Sequence, residues 1–234
     1  MLEDVLREGL GAMGLDCGEA LLRRFRAYYD FLSARGAVMN LTAITGEDEA
    51  ARLHFLDCAA PLRHVSLEDR SLVDVGSGAG FPGAVLKLLC PSLRLTLLDS
   101  QGKRVGFLRE LCALMGWEDV TCVQARAETP GALRERFDFA ASRAVARMGL
   151  LAELCLPYVR PGGAFLALKG PAAGEELAEA RGAIGLLGGA VEAVHTDALP
   201  GGGEVRNLVV VRKRHPTPRQ YPRPFSRMKH RPLS

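Results

Sequence analysis

The chain has 234 residues and a mass of 25.2 kDa, which predicts one α/β domain with a small extension. No apolar run approaches the ~20 residues of a membrane span, and the opening residues, MLEDVLREGL, are amphipathic rather than typical of a secretory signal. The six cysteines are scattered without C-x-x-C spacing, which argues against a disulfide framework or a metal site. We therefore expect a cytoplasmic monomer with free thiols, no metal and no membrane partner.

The net charge of +3 is unevenly distributed along the chain. Residues 205–234 hold nine of the 30 Lys and Arg residues and no acid, so the rest carries 21 basic against 27 acidic residues. A positive charge concentrated at one end is typical of a protein that binds nucleic acid. A solubilising tail is the alternative that composition leaves open.

The first 65 residues or so predict a helical extension. Six apolar side chains recur there at helical spacing, and Gly36 is expected to end their helix. We predict that these side chains form core contacts rather than a platform for stacking bases; they are Leu21, Leu22, Phe25, Tyr28, Tyr29 and Leu32.

The stretch from Ser71 to Gly83, SLVDVGSGAGFPG, predicts a buried strand, a glycine loop and the start of a helix. Glycines stand at Gly76, Gly78 and Gly80. The dinucleotide-binding pattern G-x-G-x-x-G, started at Gly76, requires its third glycine at the position that Phe81 occupies. That glycine allows close packing of the following helix near a pyrophosphate, so the phenylalanine favours S-adenosyl-L-methionine (AdoMet) over NAD, and we expect Phe81 to lie against the cofactor. Asp99 ends the next strand at the offset typical of a ribose-binding acid.

From Ser71 onwards, strands alternate with helices, which predicts an α/β fold with a doubly wound, mostly parallel seven-stranded sheet. The short join before Val205 makes the last two strands antiparallel neighbours, and this arrangement is typical of class I AdoMet-dependent methyltransferases with a Rossmann-like fold. The expected parts are a helical extension (1–65), an AdoMet-binding methyltransferase domain (66–212) and a basic C-terminal tail (213–234). The predicted strands are 71–75, 93–98, 119–124, 137–141, 164–169, 190–197 and 205–212, with helices at 82–90, 102–115, 148–158 and 173–187.

Polar residues follow five of these strands, at the edge where an open α/β sheet binds its ligands. Such a gathering is hard to explain by packing alone, so we predict the site there. The candidates are Asp74 and Gly76, Asp99 and Ser100, Arg126 to Glu128, Ser142 and Arg143, and Lys169.

Several blocks of the sequence resemble the RsmG (GidB) family of bacterial 16S ribosomal RNA guanine-N7 methyltransferases. They are DVGSGAGFPG, LLDSQGKRVGFLRE, QARAE, SRA, NLTAI, HFLDC, ALKG and the terminal YPR…KHRPL. The resemblance implies AdoMet as cofactor and 16S rRNA in the small ribosomal subunit as partner. One departure is Ser226, where the family usually has glycine, so the path of the tail is open.

The resemblance also implies residue roles, to which the strand-end positions add further candidates. Cofactor-binding candidates are Gly76, Gly78, Phe81, Asp99, Ser100, Ala127, Glu128 and Arg143. The predicted catalytic residues are Asn40, His54, Arg143 and Lys169. The predicted RNA-binding residues are Lys103, Arg126, Arg212, Lys213, Arg214 and Arg223.

Guanine N7 carries a free lone pair at neutral pH, so its methylation needs neither a general base nor a covalent nucleophile. The sequence agrees, since neither an Asn/Asp-Pro-Pro-Tyr motif nor a Pro-Cys nucleophile follows the fourth strand. Arg143 stands there instead, and it could hold the cofactor or donate to guanine O6. A small-molecule methyltransferase, a non-catalytic RNA-binding factor and an NAD oxidoreductase remain as alternatives.

Overall fold

The computed structural model describes residues 1–39, 44, 46–143 and 145–233, with residues 36–39 described by their backbone alone. Within these residues, seven strands form one sheet in the order β3-β2-β1-β4-β5-β7-β6. The first five strands in that order are parallel, and β7 is antiparallel to both β5 and β6. This confirms the predicted fold class. The strands are β1 (Ser71–Val75), β2 (Arg94–Asp99), β3 (Thr121–Gln124), β4 (Phe137–Arg143), β5 (Val159–Lys169), β6 (Gly189–Ala198) and β7 (Val205–Lys213).

Helices cover both faces of the sheet, so alternate residues of each strand point into two different cores. Leu72 of β1 faces one core and Val73 the other. The first core also holds α1 (Leu2–Ala12), α2 (Glu19–Met39), α5 (Gly83–Leu89) and α6 (Gly102–Leu114), and the second holds α7 (Met148–Cys155) and α8 (Ala173–Leu186). A sheet buried on both faces explains why β1 and β4 carry apolar side chains on both of their faces.

The N-terminal helices pack directly on the sheet. Phe25 and Tyr28 are fully buried, which confirms that the aromatic stripe of α2 is core. The helix does not end at Gly36 but continues to Met39, since a glycine inside a helix costs only about 1 kcal/mol. Arg26 then ion-pairs with Glu3 and Glu47, linking α1 and α2 to the helical turn that begins at Glu47. The helical turns that follow are α3 (Glu47–Ala50), a π-helical turn (Ala51–Leu56), α4 (Asp57–Ala59) and a 3₁₀ turn (Ala60–Arg63).

Two predicted boundaries differ around the fifth strand. The helix from residue 148 ends at Cys155, and a 3₁₀ turn continues it to Tyr158. Strand β5 begins at Val159 rather than at residue 164, because Val159 already pairs with Phe137 across a local shift in register. Gly162, at φ = 88°, takes up the irregularity that made this stretch read as a loop.

The C-terminal segment is docked on the protein rather than free. Arg134 donates to the carbonyl oxygens of Thr217 and Tyr221 at 2.7 and 2.8 Å, and Met228 of α9 (Phe225–His230) is fully buried. The three-part division of the chain stays a prediction. In the part of the chain that the structure describes, no helix combines the length and the hydrophobicity that crossing a bilayer requires.

Candidate active site

The loop after β1 brings bare backbone to the carboxyl edge of the sheet. Gly76, Gly78 and Gly80 all have positive φ, a region that other residues rarely adopt. A Cβ at Gly80 would lie 2.5 Å from the hydroxyl of Tyr28, which itself donates to Ala79 O at 2.6 Å. The glycines therefore permit both the loop conformation and its close contact with α2.

Asp99 at the end of β2 holds this loop in place. Its two carboxylate oxygens accept from Gly78 N at 3.0 Å and from Gln101 N at 2.9 Å, and Arg104 lies 3.6 Å away. The side chain is only 3% exposed, yet it lines a cavity. A carboxylate has about four acceptor positions, so Asp99 can still accept from hydroxyl groups of a ligand.

The first cavity follows the carboxyl ends of β1 to β4 and has a volume of about 420 Å³. This volume falls within the ~300–1,000 Å³ of small-molecule sites. The cavity brings together six of the eight predicted cofactor residues, whereas Gly78 and Phe81 do not line it. The lining comprises Val75, Gly76, Leu98, Asp99, Ser100, Arg104, Ala125, Arg126, Ala127, Glu128, Arg143, Val145, Leu154 and Phe225.

A second cavity of about 540 Å³ lies beyond β4, towards β5 and β7. Arg143 lines both cavities, so the two lie next to each other at this residue. The second cavity brings the predicted residues His54 and Lys169 together with Arg143. The rest of its lining is Ile44, Leu53, Asp57, Leu168, Gly170, Pro171, Ala172, Glu176 and Arg206.

Arg143 is fixed by residues of the N-terminal helical layer. Its Nη1 donates to Leu53 O at 2.7 Å and to Asp57 Oδ2 at 3.0 Å, while its Nη2 lies 3.2 Å from His54 Nδ1. An arginine can only donate, so His54 Nδ1 is the acceptor and the imidazole is neutral. Burial, and secondarily the charge of Arg143, lower the pKa of His54 to about 4.

Phe81 packs inside the protein instead of lining the cofactor cavity. Its ring is 6% exposed and is stacked on His54 at 4.7 Å and on Tyr28 at 5.5 Å between centroids. The Arg143 guanidinium lies over the same ring at 4.9 Å. The expectation that the Phe81 ring lies against the cofactor is therefore not met by this geometry, and the ring instead supports Arg143 and His54.

Comparison with known proteins identifies the family. The model of the family "GidB: rRNA small subunit methyltransferase G" matches residues 21–207. The chain belongs to this family. It is 45% identical to ribosomal RNA small subunit methyltransferase G of Pelotomaculum thermopropionicum, over 100% of this chain and 99% of the relative. It is 43% identical to the protein of the same name from Lactobacillus johnsonii, over the full length of both.

The fold is also found in a solved structure of a SAM-dependent methyltransferase from Aquifex aeolicus. The match has a TM-score of 0.52 at 18% identity and covers 70% of this chain and 92% of that one. Together with the sheet order, it shows the class I methyltransferase fold.

Two acids that the sequence analysis did not select organise this rRNA methyltransferase G site. Asp57 holds Arg143 through one oxygen and lies 3.3 Å from Arg206 Nε through the other. Glu176 ion-pairs with Lys169 at 2.6 Å, and Lys169 also donates to Ala146 O at 2.9 Å. Asp57 lies in the HFLDC block, so the family resemblance pointed to its neighbourhood. No sequence pattern around Glu176 or Arg206 indicates a place in the site.

Asp74 was a strand-end candidate, but it lies beneath the glycine loop and lines neither cavity. It is fully buried, and its Oδ2 accepts from Gly83 N at 2.9 Å at the start of α5. Burial raises the pKa of Asp74 to about 7. The predicted catalytic residue Asn40 lies outside the described residues.

The predicted RNA-binding residues are divided by their surroundings. Lys103 and Arg126 are exposed beside the first cavity, Arg126 by 70% of its side chain. Arg212 is bound bidentately by Glu192, and Arg214 is exposed with the same acid 3.9 Å away.

Two of the predicted RNA-binding cations are engaged by the protein. Lys213 is fully buried, its ammonium donates to Leu156 O and to Thr217 Oγ1, and burial lowers its pKa to about 8; as placed, it is not available to a phosphate. Arg223 is partly buried, and its Nε and Nη2 donate to the buried carboxylate of Glu153. Both cations serve the docking of the C-terminal segment.

None of the six cysteines lines either cavity. Burial raises the pKa values of Cys58 and Cys155 well above the usual thiol value, so both are protonated and unreactive. Among the described residues, no group of three or more His, Cys, Asp or Glu side chains could hold a metal ion.

Proposed function

We propose that this protein transfers the methyl group of AdoMet to N7 of a guanine in 16S rRNA. The observation that carries the proposal is the pair of cavities that meet at Arg143. The first cavity has the acid and the open backbone for a nucleoside cofactor, and the second offers a place for an acceptor base on the other side of the same guanidinium.

The residues of the first cavity fit AdoMet better than a dinucleotide. In dinucleotide-binding folds, the pyrophosphate sits at the helix N-terminus after the glycine loop. Here Asp74 occupies that N-terminus, since its carboxylate accepts from Gly83 N. The N–H group that a pyrophosphate would need at this point is therefore already occupied. AdoMet has no phosphate, and its two ribose hydroxyls match the remaining acceptor capacity of Asp99.

AdoMet, when bound, supplies a methyl group on a positively charged sulfur. The chain itself would supply orientation and exclusion of water, which can account for a large part of a rate enhancement. Asp99 and the glycine loop would hold the cofactor, and because guanine N7 carries its own lone pair, the transfer would require no proton acceptor from the chain. The site agrees with this scheme, because neither nitrogen is placed to accept a proton from the base. The Nδ1 atom of the neutral His54 faces Arg143, and the ammonium of Lys169 is ion-paired with Glu176.

The exposed cations around the first cavity support an RNA substrate. A groove of about 720 Å³ continues from the cavity between Arg126 and α9, and its lining includes Phe225, Lys229 and His230. A basic groove with an aromatic side chain is typical of sites for single-stranded nucleic acid. We infer that the RNA approaches across this face, with Arg126, Lys103 and the exposed cations of α9 contacting phosphates. Monomeric state and cytoplasmic location stay predictions.

Incubation with labelled AdoMet and small ribosomal subunits tests the proposal. We expect label in 16S rRNA, recovered as 7-methylguanosine after digestion to nucleosides, and much less label with Asp99→Asn at an AdoMet concentration near the Kd of the unmodified enzyme. Label in another nucleoside would contradict the choice of N7. Label only in small molecules of a metabolite mixture would identify a small-molecule methyltransferase, and AdoMet binding without transfer to any substrate would identify a non-catalytic factor.

A further inference from the structure

Methylation at N7 leaves a selectivity problem that the chemistry of N7 does not solve. Adenine carries the same free lone pair at N7 as guanine does. The two purines differ beside that atom, because guanine presents the O6 acceptor and adenine presents the N6 donor. A hydrogen-bond donor facing position 6 of the base would therefore distinguish guanine from adenine right beside the reacting atom.

Of the residues that the structure describes, three cations line the second cavity, and two of them are already engaged by the protein. Arg143 donates to Leu53 O and Asp57 and faces His54. Lys169 donates to Ala146 O and ion-pairs with Glu176. Arg143 thus directs three of its five N–H groups at protein acceptors and Lys169 two of its three, so most of the donors of both cations are committed to the protein.

Arg206, at the start of β7, is the third cation. Its Nε lies 3.3 Å from Asp57 Oδ1, and its Nη1 donates to the carbonyl oxygen of its neighbour Val205. Among the described residues, no acceptor is within bonding distance of its Nη2. The side chain is 25% exposed and lines the cavity. Arg206 thus combines a fixed orientation with an N–H group still available to a ligand.

The backbone that carries Arg206 is also fixed. The next residue, Asn207, pairs in register with Lys169 of β5, and its Nδ2 donates to Gly170 O at 2.9 Å. The sheet therefore sets where the Arg206 side chain begins, and Asp57 sets the direction in which it extends. Such support on both sides is what a donor needs in order to discriminate between bases.

We propose that Arg206 recognises the acceptor base by donating a hydrogen bond to guanine O6. This assignment rests on the proposed function. Asp57 is the positioning residue for this contact, because its carboxylate pairs with Arg206 on the acceptor side and with Arg143 on the cofactor side. Its single negative charge, shared by the two guanidiniums, reduces their repulsion of the positive charge that N7 methylation leaves on the purine.

The test combines variants of Arg206 with changes at position 6 of the base. Once digestion has located the methylated guanine, RNA is made with guanine, inosine, 2-aminopurine or adenine at that position and assembled into subunits. Inosine keeps O6, and 2-aminopurine keeps N7 but has no group at position 6. We expect kcat/KM of the unmodified enzyme to be similar for guanine and inosine, and about 5- to 150-fold lower for 2-aminopurine.

Arg206→Met should lose that same factor with guanine and lose little with 2-aminopurine, and Arg206→Lys should recover part of the loss. Arg94→Gln is the matched control, because Arg94 begins β2 at the opposite edge of the sheet and is exposed. Thermal unfolding and AdoMet affinity of each variant verify the fold.

Equal losses with guanine and 2-aminopurine would overturn the O6 assignment while leaving the methyltransferase function intact. If Arg206→Met does not fold, the base series on the unmodified enzyme still decides, since equal rates with guanine and 2-aminopurine exclude any donor to O6. Absence of 7-methylguanosine with the unmodified enzyme would instead contradict the proposed function itself.

Discussion

Asp99→Asn gives a sharp test of the cofactor site, because the structure shows what the substitution removes. The carboxylate accepts from Gly78 N and Gln101 N with separate oxygens. An asparagine of the same shape has one oxygen, so its NH₂ group faces one of these N–H groups and little acceptor capacity remains for a ribose hydroxyl. A hydrogen bond to a charged group contributes about 1.5–3 kcal/mol. Losing one such bond to the cofactor raises its Kd about 10- to 150-fold.

Isothermal titration calorimetry measures this effect, and Asp138→Asn provides the control. Asp138 is also buried and accepts from Ser71 N and Ser71 Oγ, but it lies at the opposite edge of the sheet. Both variants should lose stability, whereas only Asp99→Asn should lose affinity for AdoMet.

A 2′-deoxy analogue of S-adenosylhomocysteine separates a direct ribose contact from a disturbed glycine loop. If Asp99 binds the ribose, Asp99→Asn weakens the analogue less than it weakens the parent compound. Unchanged AdoMet affinity in a folded Asp99→Asn protein would refute the ribose assignment. Equal weakening of both ligands would show that the substitution acts by disturbing the glycine loop.

Three further predictions concern the rest of the site. Asp57→Asn should lower stability by about 3–5 kcal/mol, because it leaves two guanidiniums without their shared carboxylate; unchanged urea unfolding would contradict this. His54 has a pKa near 4 when folded and 6.5 when unfolded, so its contribution to stability is complete above pH 6.5 and is lost as the pH falls towards 4. His54→Gln should therefore flatten the fall of Tm between pH 6.5 and 4, and an unchanged slope would count against it. Replacing the exposed Arg227, Lys229 and Arg231 by Gln should weaken RNA binding and reduce its salt slope by about 2, whereas an unchanged slope in filter binding would remove these cations from the RNA surface.

The local parts of the site were predictable from sequence, because short-range patterns determine them. A buried strand, a glycine loop and an acid after the next strand occur together within one βαβ unit, so Gly76 and Asp99 could be placed in advance. The same locality predicted the parallel sheet and its antiparallel last strand. Even the wrong start of β5 arose from a local irregularity at Gly162.

The remaining parts depend on contacts between distant segments. The ring of Phe81 follows the glycine loop, but Tyr28 and His54 from the N-terminal helices determine where it points. Counting charges predicted a basic tail yet did not reveal that buried Glu153 holds Arg223. Arg206 and Asp57 lie far apart in the sequence, and only the folded chain brings them together.

The contact of Tyr28 with the glycine loop determines whether the sheet and its helices can function without the N-terminal helices. A fragment beginning at Ser66 would keep all seven described strands, but it would lose Tyr28 from the loop and Asp57 from Arg143. A fragment that holds only the sheet and its helices therefore lacks contacts that the active site needs. In a chimaera of two relatives, the helical layer and the glycine loop would have to be exchanged together, because each is shaped to the other.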